Sequence, residues 1–499
     1  MEALQAANGA IKHTQMTFKA DRRLVIEGDE LVLYENASTA SKSSSRLWLG
    51  GTADPVTKHT IPLYNVLWAE VKDGELTVDY AKQTSKSAID NERWTFDIIE
   101  EPATEETDLT PQRFCEEIIS KAYGAAPTRR RALVLINPNS GPGHGVKKWE
   151  TVVRPLFDAA RLTHNAVVLN RGGEAMELVE KINIDDYDTI VACSGDGTPH
   201  EIFNGLAKRP DAKTALGRIA VSHIPCGSGN AFSCNLYGSY RPAAAALAII
   251  KGVVTPLDLV SITQKGKRVI SFLSQSLGII AESDLGTEHL RWMGSARFDV
   301  GVMSRVFLRK CYPCDISIKL VTDKKEDVKR RYKEGLGETT DVQVGDDEPM
   351  PALRFGTETD EVPGDWETIS YDKIGNFYCG NMAYMAPDLN FFSASLPSDG
   401  CMDMVAVNGN LWPITALKIV MSVESNQFFD NEHVEYKKVE AYRITPRDQK
   451  DGYISIDGEK LPFAPYQAEV HRGLGRVISK SSRFEAPGPN GWEMVSTAQ

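Results

Sequence analysis

From residue 24 to about residue 99 the chain strings together short apolar-rich runs separated by turn signals. Residues 31–34, 59–63, 66–71 and 75–80 read as strands, with Lys72-Asp73-Gly74 as one of the turns between them. The period then changes: Phe114, Ile118, Ile119 and Tyr123 recur at helical spacing across residues 111–123. From 128 to about 255, apolar strand runs at 131–136, 189–192 and 219–224 alternate with helical segments. In one of these, Trp149, Val152, Val153, Leu156, Phe157 and Ala160 share a face and read as core. Such alternation predicts an α/β domain with a mostly parallel sheet. From residue 257 the pattern turns back to short strands, at 257–262, 269–273, 315–320, 376–379, 402–407 and 453–457, and predicts a β-rich, sandwich-like region. A charged stretch at 323–367 interrupts it. Its part from Gly345 onward is too poor in apolar residues to build a core and is expected to be a mobile insertion. The organisation expected is a flexible N-terminus (1–20), a β-rich module (21–127), an α/β domain (128–255), a β-rich domain (256–480) and a flexible C-terminus (481–499).

Three of the predicted strands end in glycine loops. Residues 131–136 run into Asn137-Pro138-Asn139-Ser140-Gly141-Pro142-Gly143-His144-Gly145, residues 189–192 into Cys193-Ser194-Gly195-Asp196-Gly197-Thr198, and residues 219–224 into Pro225-Cys226-Gly227-Ser228-Gly229-Asn230. Each loop precedes a helical pattern, so backbone N–H groups and a positive helix end face whatever lies above it. Loops at the carboxyl ends of strands in an open α/β sheet gather into one ligand site. The first loop is able to wrap phosphates but is not a Walker A loop, because no Gly-Lys-Ser/Thr closes it. Asp196, held between two glycines at a helix start, is suited to take a proton from a hydroxyl or to help hold a metal.

Composition narrows the classes. The chain has 499 residues, 42% hydrophobic and 25% charged, as ordinary soluble proteins do. A net charge of −12 argues against nucleic acid as the main partner. No apolar run is long enough to span a bilayer, the longest candidate being residues 243–250, and the N-terminus lacks a signal-peptide core and a myristoylation glycine. Eight cysteines in a chain of this length do not form a disulfide framework, and a reducing cytoplasmic compartment is expected. Cys311 and Cys314 have metal-ligand spacing but no second pair; Cys193 and Cys226 read as buried fillers.

Taken together, Asn137-Pro138-Asn139-Ser140-Gly141, Ser194-Gly195-Asp196-Gly197 and Pro225-Cys226-Gly227-Ser228-Gly229-Asn230 resemble the nucleotide-binding motifs of the diacylglycerol-kinase-like lipid kinases. The segment from Ala281-Glu282-Ser283-Asp284 to Arg291-Trp292-Met293-Gly294-Ser295-Ala296-Arg297-Phe298 is similar to the substrate motif of the sphingosine kinases within that group. Asp457-Gly458-Glu459 and residues 467–473 agree, and the resemblance covers about residues 130–479.

This resemblance implies ATP and Mg²⁺, and transfer of the γ-phosphoryl group to the primary hydroxyl of a sphingoid base. It implies Asp196 as the catalytic base. It places Asn137, Pro138, Asn139, Ser140, Gly141, Ser194, Gly195, Gly197, Thr198, Gly227, Ser228, Gly229, Asn230, Arg291, Arg297, Asp457, Gly458 and Glu459 around ATP, with Asp457 and Glu459 also near Mg²⁺. Asp284 stands where the family places a carboxylate for the substrate amine, and Ser274 is a further head-group candidate. Phe298, Val302, Met303, Val306 and Phe307, with the aromatics of 389–392, either line an alkyl-chain slot or are plain core. One departure stands out: Val168-Leu169-Asn170-Arg171-Gly172-Gly173-Glu174-Ala175 lacks the hydroxyl and histidine many relatives carry there, so no nucleotide contact is assigned to it.

The module at 21–127 resembles a pleckstrin-homology domain or is a β appendage. Its scattered Lys19, Arg22, Arg23, Lys42, Arg46 and Lys58 do not support strong phosphoinositide capture. A membrane-dissolved substrate implies peripheral contact with intracellular or plasma membranes. Rival readings are a diacylglycerol or ceramide kinase, against which Asp284 argues because neither substrate offers a cation, and NAD kinase, whose polar substrate needs no apolar surface at 297–307. A rival of another class is a lipid-binding adaptor on an inactive kinase fold, against which the intact Asp196 and glycine loops argue.

Overall fold

The computed structural model describes residues 14–36, 56–85, 88–99, 110–286, 309–336, 338 and 345–489. The chain forms two compact units, one of Met1–Arg129 with Arg154–Leu162 and one of Arg130–Val153 with Thr163–Gln499.

The first unit holds two antiparallel sheets and one amphipathic helix. Strands Gln15–Phe18, Arg22–Glu27, Glu30–Asn36 and Val56–Pro62 pair in chain order, as do Val66–Lys72, Glu75–Gln83 and Ile89–Asp97. Thr110 caps the helix Pro111–Tyr123, its hydroxyl accepting the Arg113 N–H at 3.2 Å. That helix buries Phe114, Cys115 and Ile118, and the Tyr123 hydroxyl donates to the Leu67 carbonyl at 2.6 Å. Arg161 comes from the short second piece of chain and reaches Glu70 and Asp79. Asp79 is only 1% exposed and also takes Arg93 at 2.7 Å, so two guanidinium groups compensate one buried carboxylate. One expectation changes here, and one strand is added. Residues 15–18 are a paired strand, not part of a flexible tail. Ile89–Asp97 is a strand although Asp90, Asn91, Glu92 and Arg93 hide its alternation.

The second unit is built on one continuous 15-stranded sheet. Its α/β part has four parallel strands, ordered Thr163–Val168, Arg131–Ile136, Thr189–Ser194, Ala220–Pro225. The 14-residue strand Tyr466–Ser479 lies beside the last of these, parallel at Ala220↔Arg476 and Val221↔Val477, and antiparallel to Val253–Gln264 and Val434–Pro446. The expected boundary near residue 255 is therefore crossed by a strand from the far end of the sequence, and the β-rich region continues the α/β sheet instead of standing apart as a sandwich. Its central strands are buried on both faces: in Met402–Asn408, Met404 and Ala406 join one apolar cluster while Val405 joins another. Helices Lys325–Gly335 and Pro413–Glu424 contribute to the second cluster through Val328, Tyr332, Ile419 and Val423.

The stretch from Gly345 is not the loose insertion its composition predicts. Buried Glu469 accepts the N–H groups of Arg354 and Phe355 at 3.0 and 3.1 Å. The Gln467 amide donates to the Phe355 and Gly356 carbonyls, and Arg443 donates to those of Thr357 and Asp360. Three buried polar side chains of the sheet thus find their partners in this segment's backbone. At the C-terminal end, Phe484 and Ala486 are buried, so residues 481–489 also pack, contrary to a flexible tail.

Candidate active site

The three glycine loops lie at the carboxyl ends of adjacent parallel strands and touch one another through their backbones. Asn137 N–H donates to the Cys193 carbonyl at 3.1 Å and Cys226 N–H to the Ser194 carbonyl at 2.7 Å, prolonging the ladder beyond the strands. The Ser140 hydroxyl accepts the Gly195 N–H at 3.2 Å. A Cβ on Gly227 would lie 2.5 Å from Gly195 Cα, and one on Gly141, whose φ is +56°, would lie 2.6 Å from the Cys226 carbonyl oxygen. Glycine is required at these positions because loop meets loop.

Within the loops, some expected contact residues are occupied in building the site. The Asn137 side chain holds the Asn139 N–H at 3.0 Å. Asn230, at φ +53°, closes its own loop by accepting from Gly227 N and donating to Gly227 O, both at 2.8 Å. The Thr198 side chain is buried, and Cys193 and Cys226 lie beneath the loops with their sulfurs 3.5 Å apart. Phe203, Phe232 and Phe272 pack mutually and join the helices Gly197–Ala207 and Ala231–Tyr237 to the sheet.

Asp196 sits where the loops converge, half-buried, at the start of the helix Gly197–Ala207. Its two oxygens accept the Ala231 and Phe232 N–H groups at 3.1 and 3.0 Å, which fixes the carboxylate's orientation. A Cβ on Gly229 would stand 3.1 Å from one of those oxygens. Glu459 is exposed, with its Oε1 3.5 Å from where a Cβ on Gly197 would be. One carboxylate therefore stands over the start of that helix, which has no side-chain cap.

Asp457 does not share that position. It is 4% exposed, and both its oxygens are engaged: by the Ser271 hydroxyl at 2.6 Å, the N–H groups of Phe272, Leu273 and Ser274 at 3.1, 3.0 and 2.9 Å, and His200 Nδ1 at 2.8 Å. A carboxylate with five partners and almost no exposed surface is a strut, and the expectation that it pairs with Glu459 at a metal gives way to this geometry. Burial pushes the His200 pKa down, but the hydrogen bond and charge of Asp457, with the charges of Glu459 and Glu201, outweigh it and raise the value above the ordinary one. Asn204, one turn further along, ties the same helix to the Ile270 N–H and carbonyl, both at 2.8 Å. Sequence reasoning missed His200; its only signal is its place one turn after Asp196 on the same helix, since its partner lies 257 residues away.

Ser274 is buried in its strand, its hydroxyl 3.5 Å from that of Tyr378, on the edge of the apolar cluster that also contains Phe392 and Phe428. Half-buried Ile280, Met385, Leu389 and Phe391 pack on this cluster. Asp284 falls within the helix Ile279–Gly286. Arg291, Arg297, Phe298, Val302 and Phe307 lie outside the described residues. Among the described residues no group of three or more His, Cys, Asp or Glu side chains is arranged to hold a metal ion.

Comparison with known proteins agrees with this architecture. Residues 131–262 match the diacylglycerol kinase catalytic domain, and residues 14–124 match a domain of unknown function. A putative diacylglycerol kinase from Bacillus anthracis has the same fold, with a TM-score of 0.50 over 71% of this chain and 97% of that one at 19% identity. Sphingoid long chain base kinase 5 of Saccharomyces cerevisiae is 33% identical over 441 residues, 76% of this chain and 63% of the relative, so the chain spans less than two thirds of that protein's length. Sphingoid long chain base kinase 4 of Schizosaccharomyces pombe is 32% identical over 428 residues, 85% of this chain and 89% of the relative. With the diacylglycerol-kinase-type catalytic core in place and a relative of this similarity matched over nearly its full length, the chain belongs to the sphingoid long-chain base kinase family, as its motifs led us to expect.

Proposed function

We propose that this chain transfers the γ-phosphoryl group of ATP to the primary hydroxyl of a sphingoid long-chain base. The observation that carries the reading is the convergence of three mutually touching glycine loops on one oriented, half-buried carboxylate, Asp196, in a chain of this family. Phosphoryl transfer needs positioning and charge neutralisation more than covalent chemistry. The uncapped start of Gly197–Ala207 and the loop amides around Ser140-Gly141 and Gly227-Ser228-Gly229 supply N–H donors for phosphate oxygens. Asp196 orients the acceptor hydroxyl and takes its proton as the oxygen bonds to the γ-phosphorus and the bridging P–O bond breaks to release ADP.

The residues present fit Mg²⁺ in the form nucleotide sites commonly use, with one protein carboxylate and the remaining ligands from phosphates and water; Glu459 is that carboxylate. When bound, Mg²⁺ neutralises charge on the phosphates. Arg291 and Arg297 add guanidinium groups to the same task, and Asp284 pairs with the substrate amine. Phe298, Val302 and Phe307, with the apolar surface at Ile280, Met385, Leu389 and Phe391, receive the alkyl chain. The N-terminal unit serves as a structural, pleckstrin-homology-like module, and the enzyme works in the cytoplasm, peripherally on membranes. A labelled-ATP assay across sphingosine, ceramide and diacylglycerol tests the reading. Label in sphingosine alone supports it; label in one of the neutral lipids, or in none, overturns it.

A further inference from the structure

Among the described residues, the three most exposed large apolar side chains are Trp412 (71%), Ile414 (68%) and Met421 (60%), all on the helix Pro413–Glu424 or its N-cap. The inner face of that helix buries Ile419 and Val423 in the cluster with Tyr378, Phe392 and Phe428. On the outer face, Ile414, Lys418 and Met421 recur at i, i+4 and i+7 and form one ridge. Trp412 opens the ridge, with the Arg309 guanidinium 5.1 Å above its ring and donating to the Asn410 carbonyl at 3.1 Å. Exposed Lys373 adjoins, its carbonyl accepting the Gly409 N–H at 2.8 Å. Of the acids nearby, Asp372 pairs with Arg447 and Glu282 with Lys310, while exposed Glu424 follows Met421 at i+3 and ends the ridge. A chain of net charge −12 thus carries a local patch of apolar side chains rimmed by Arg309, Lys373 and Lys418.

The helix that carries the patch also covers the apolar cluster beside the candidate substrate path. Gly229 touches Asp196, and the Met385 carbonyl lies 3.9 Å from a Cβ placed on Gly229. Met385, Leu389, Phe391 and Ile280 then lead along the apolar cluster that the inner face of this helix completes. The segment carrying the rest of the substrate motif leaves the described structure after Gly286 and returns at Arg309, beside Trp412.

We propose that the Trp412–Ile414–Met421 ridge, with Arg309, Lys373 and Lys418, is the surface on which this protein docks to an anionic bilayer. An aromatic at the entry, an apolar ridge and long cationic side chains are the composition of an interfacial helix. Docking on this face brings the helix that covers the apolar cluster against the lipid from which the substrate is drawn. The choice of a bilayer as partner rests on the proposed function.

The test uses the full chain and sedimentation with phosphatidylcholine vesicles, with and without phosphatidylserine, together with a kinase assay on a sphingoid base in detergent micelles. The wild type is expected to bind the phosphatidylserine vesicles more tightly. Replacing the ridge by Trp412→Ala, Ile414→Ser and Met421→Ser is expected to weaken that binding about tenfold or more. Lys373→Glu with Lys418→Glu, which leaves every packed apolar residue in place, is expected to remove most of the phosphatidylserine dependence and to keep the proposal testable should the triple variant fold poorly. Micellar turnover is expected to stay within about threefold in both variants, because the chemistry is elsewhere. Vesicle binding that is absent in the wild type, or unchanged in the variants, overturns the proposal. In the unchanged case, a wild-type dimer made monomeric by the ridge substitutions identifies a second copy as the occupant. A raised micellar KM instead identifies the segment 287–308 of the same chain. Failure of micellar turnover in the wild type overturns the proposed function without affecting the vesicle measurement.

Discussion

Asp196 and Asp457 each follow a strand and enter a glycine turn, yet their surroundings differ in kind. Asp196 is half-buried and meets two N–H groups from one helix start; Asp457 is 4% exposed and meets five partners drawn from the ends of two strands, the turn between them and a helix. A carboxylate that keeps a face towards the cleft is free to exchange a proton with a bound hydroxyl. One whose lone pairs are all engaged holds its turn in place, and the residue that gains from it is Glu459, two positions on. On the proposed function, burial and partner count, not the motif, separate the acid that reacts from the acid that positions.

The largest effect is expected where the strut is removed. Asp457→Ala leaves three backbone N–H groups, a hydroxyl and His200 without their shared partner, and loss of one side of a buried charged network costs about 3–5 kcal/mol. Denaturant unfolding reads this directly. A variant as stable as the wild type would place Asp457 on the reactive side of the comparison. Next comes Asp196→Asn, which keeps the turn and its size but removes the proton acceptor. Turnover is expected to fall about 10²-fold or more with ATP affinity largely kept, while stability drops by about 1–3 kcal/mol because the Asn side chain can accept only one of the Ala231 and Phe232 N–H groups. Turnover close to wild type would remove Asp196 from the chemistry.

How far these roles could be read in the sequence follows from where each residue finds its partners. The cradle was legible because strand, glycine loop and helix start are contiguous in each of its three parts, and local pattern reports local structure. The work of Asp457 was hidden because its partners lie 183 to 257 residues away. The long strand Tyr466–Ser479 was hidden for a similar reason: nothing in its own pattern says that it joins a parallel sheet built more than two hundred residues earlier. The segment from Gly345 was misjudged because a stretch poor in apolar residues can still be held by buried Glu469, Gln467 and Arg443, whose need for partners appears only once the sheet is formed.

A smaller change sharpens the contrast from the side of the loops. Gly227→Ala places a methyl carbon 2.5 Å from Gly195 Cα, backbone against backbone, with no flexible side chain to yield. The loops must separate, at a cost typical of overpacking, about 1–3 kcal/mol. KM for ATP is expected to rise about tenfold or more, with less change in the lipid KM. Equal changes in both would show that the two loops hold the lipid as much as the nucleotide.

The smallest effect concerns pH and tests whether the Asp457 region acts through stability. The His200 pKa is raised in the folded protein, burial opposing and the hydrogen bond and charge of Asp457 prevailing. For a histidine whose folded value lies above its unfolded value of about 6.5, the stabilisation is fully present below that unfolded value and is lost as pH climbs through the folded one. His200→Asn removes the titrating group and leaves a neutral polar side chain near Asp457. The advantage of the wild type over this variant, followed by thermal unfolding across a pH series, is therefore expected to be greatest in mildly acidic buffer and to shrink as pH rises. A difference that stays flat with pH would mean that His200 is neutral when folded, and that its contact with Asp457 is an ordinary hydrogen bond. The pH dependence of turnover gives the complementary reading. If His200 only holds Asp457, and through it the Gly458-Glu459 turn, the kcat profile of the variant keeps the shape of the wild-type profile at a lower height. A displaced limb would place His200 among the groups that exchange protons during the reaction, on the same side of the comparison as Asp196.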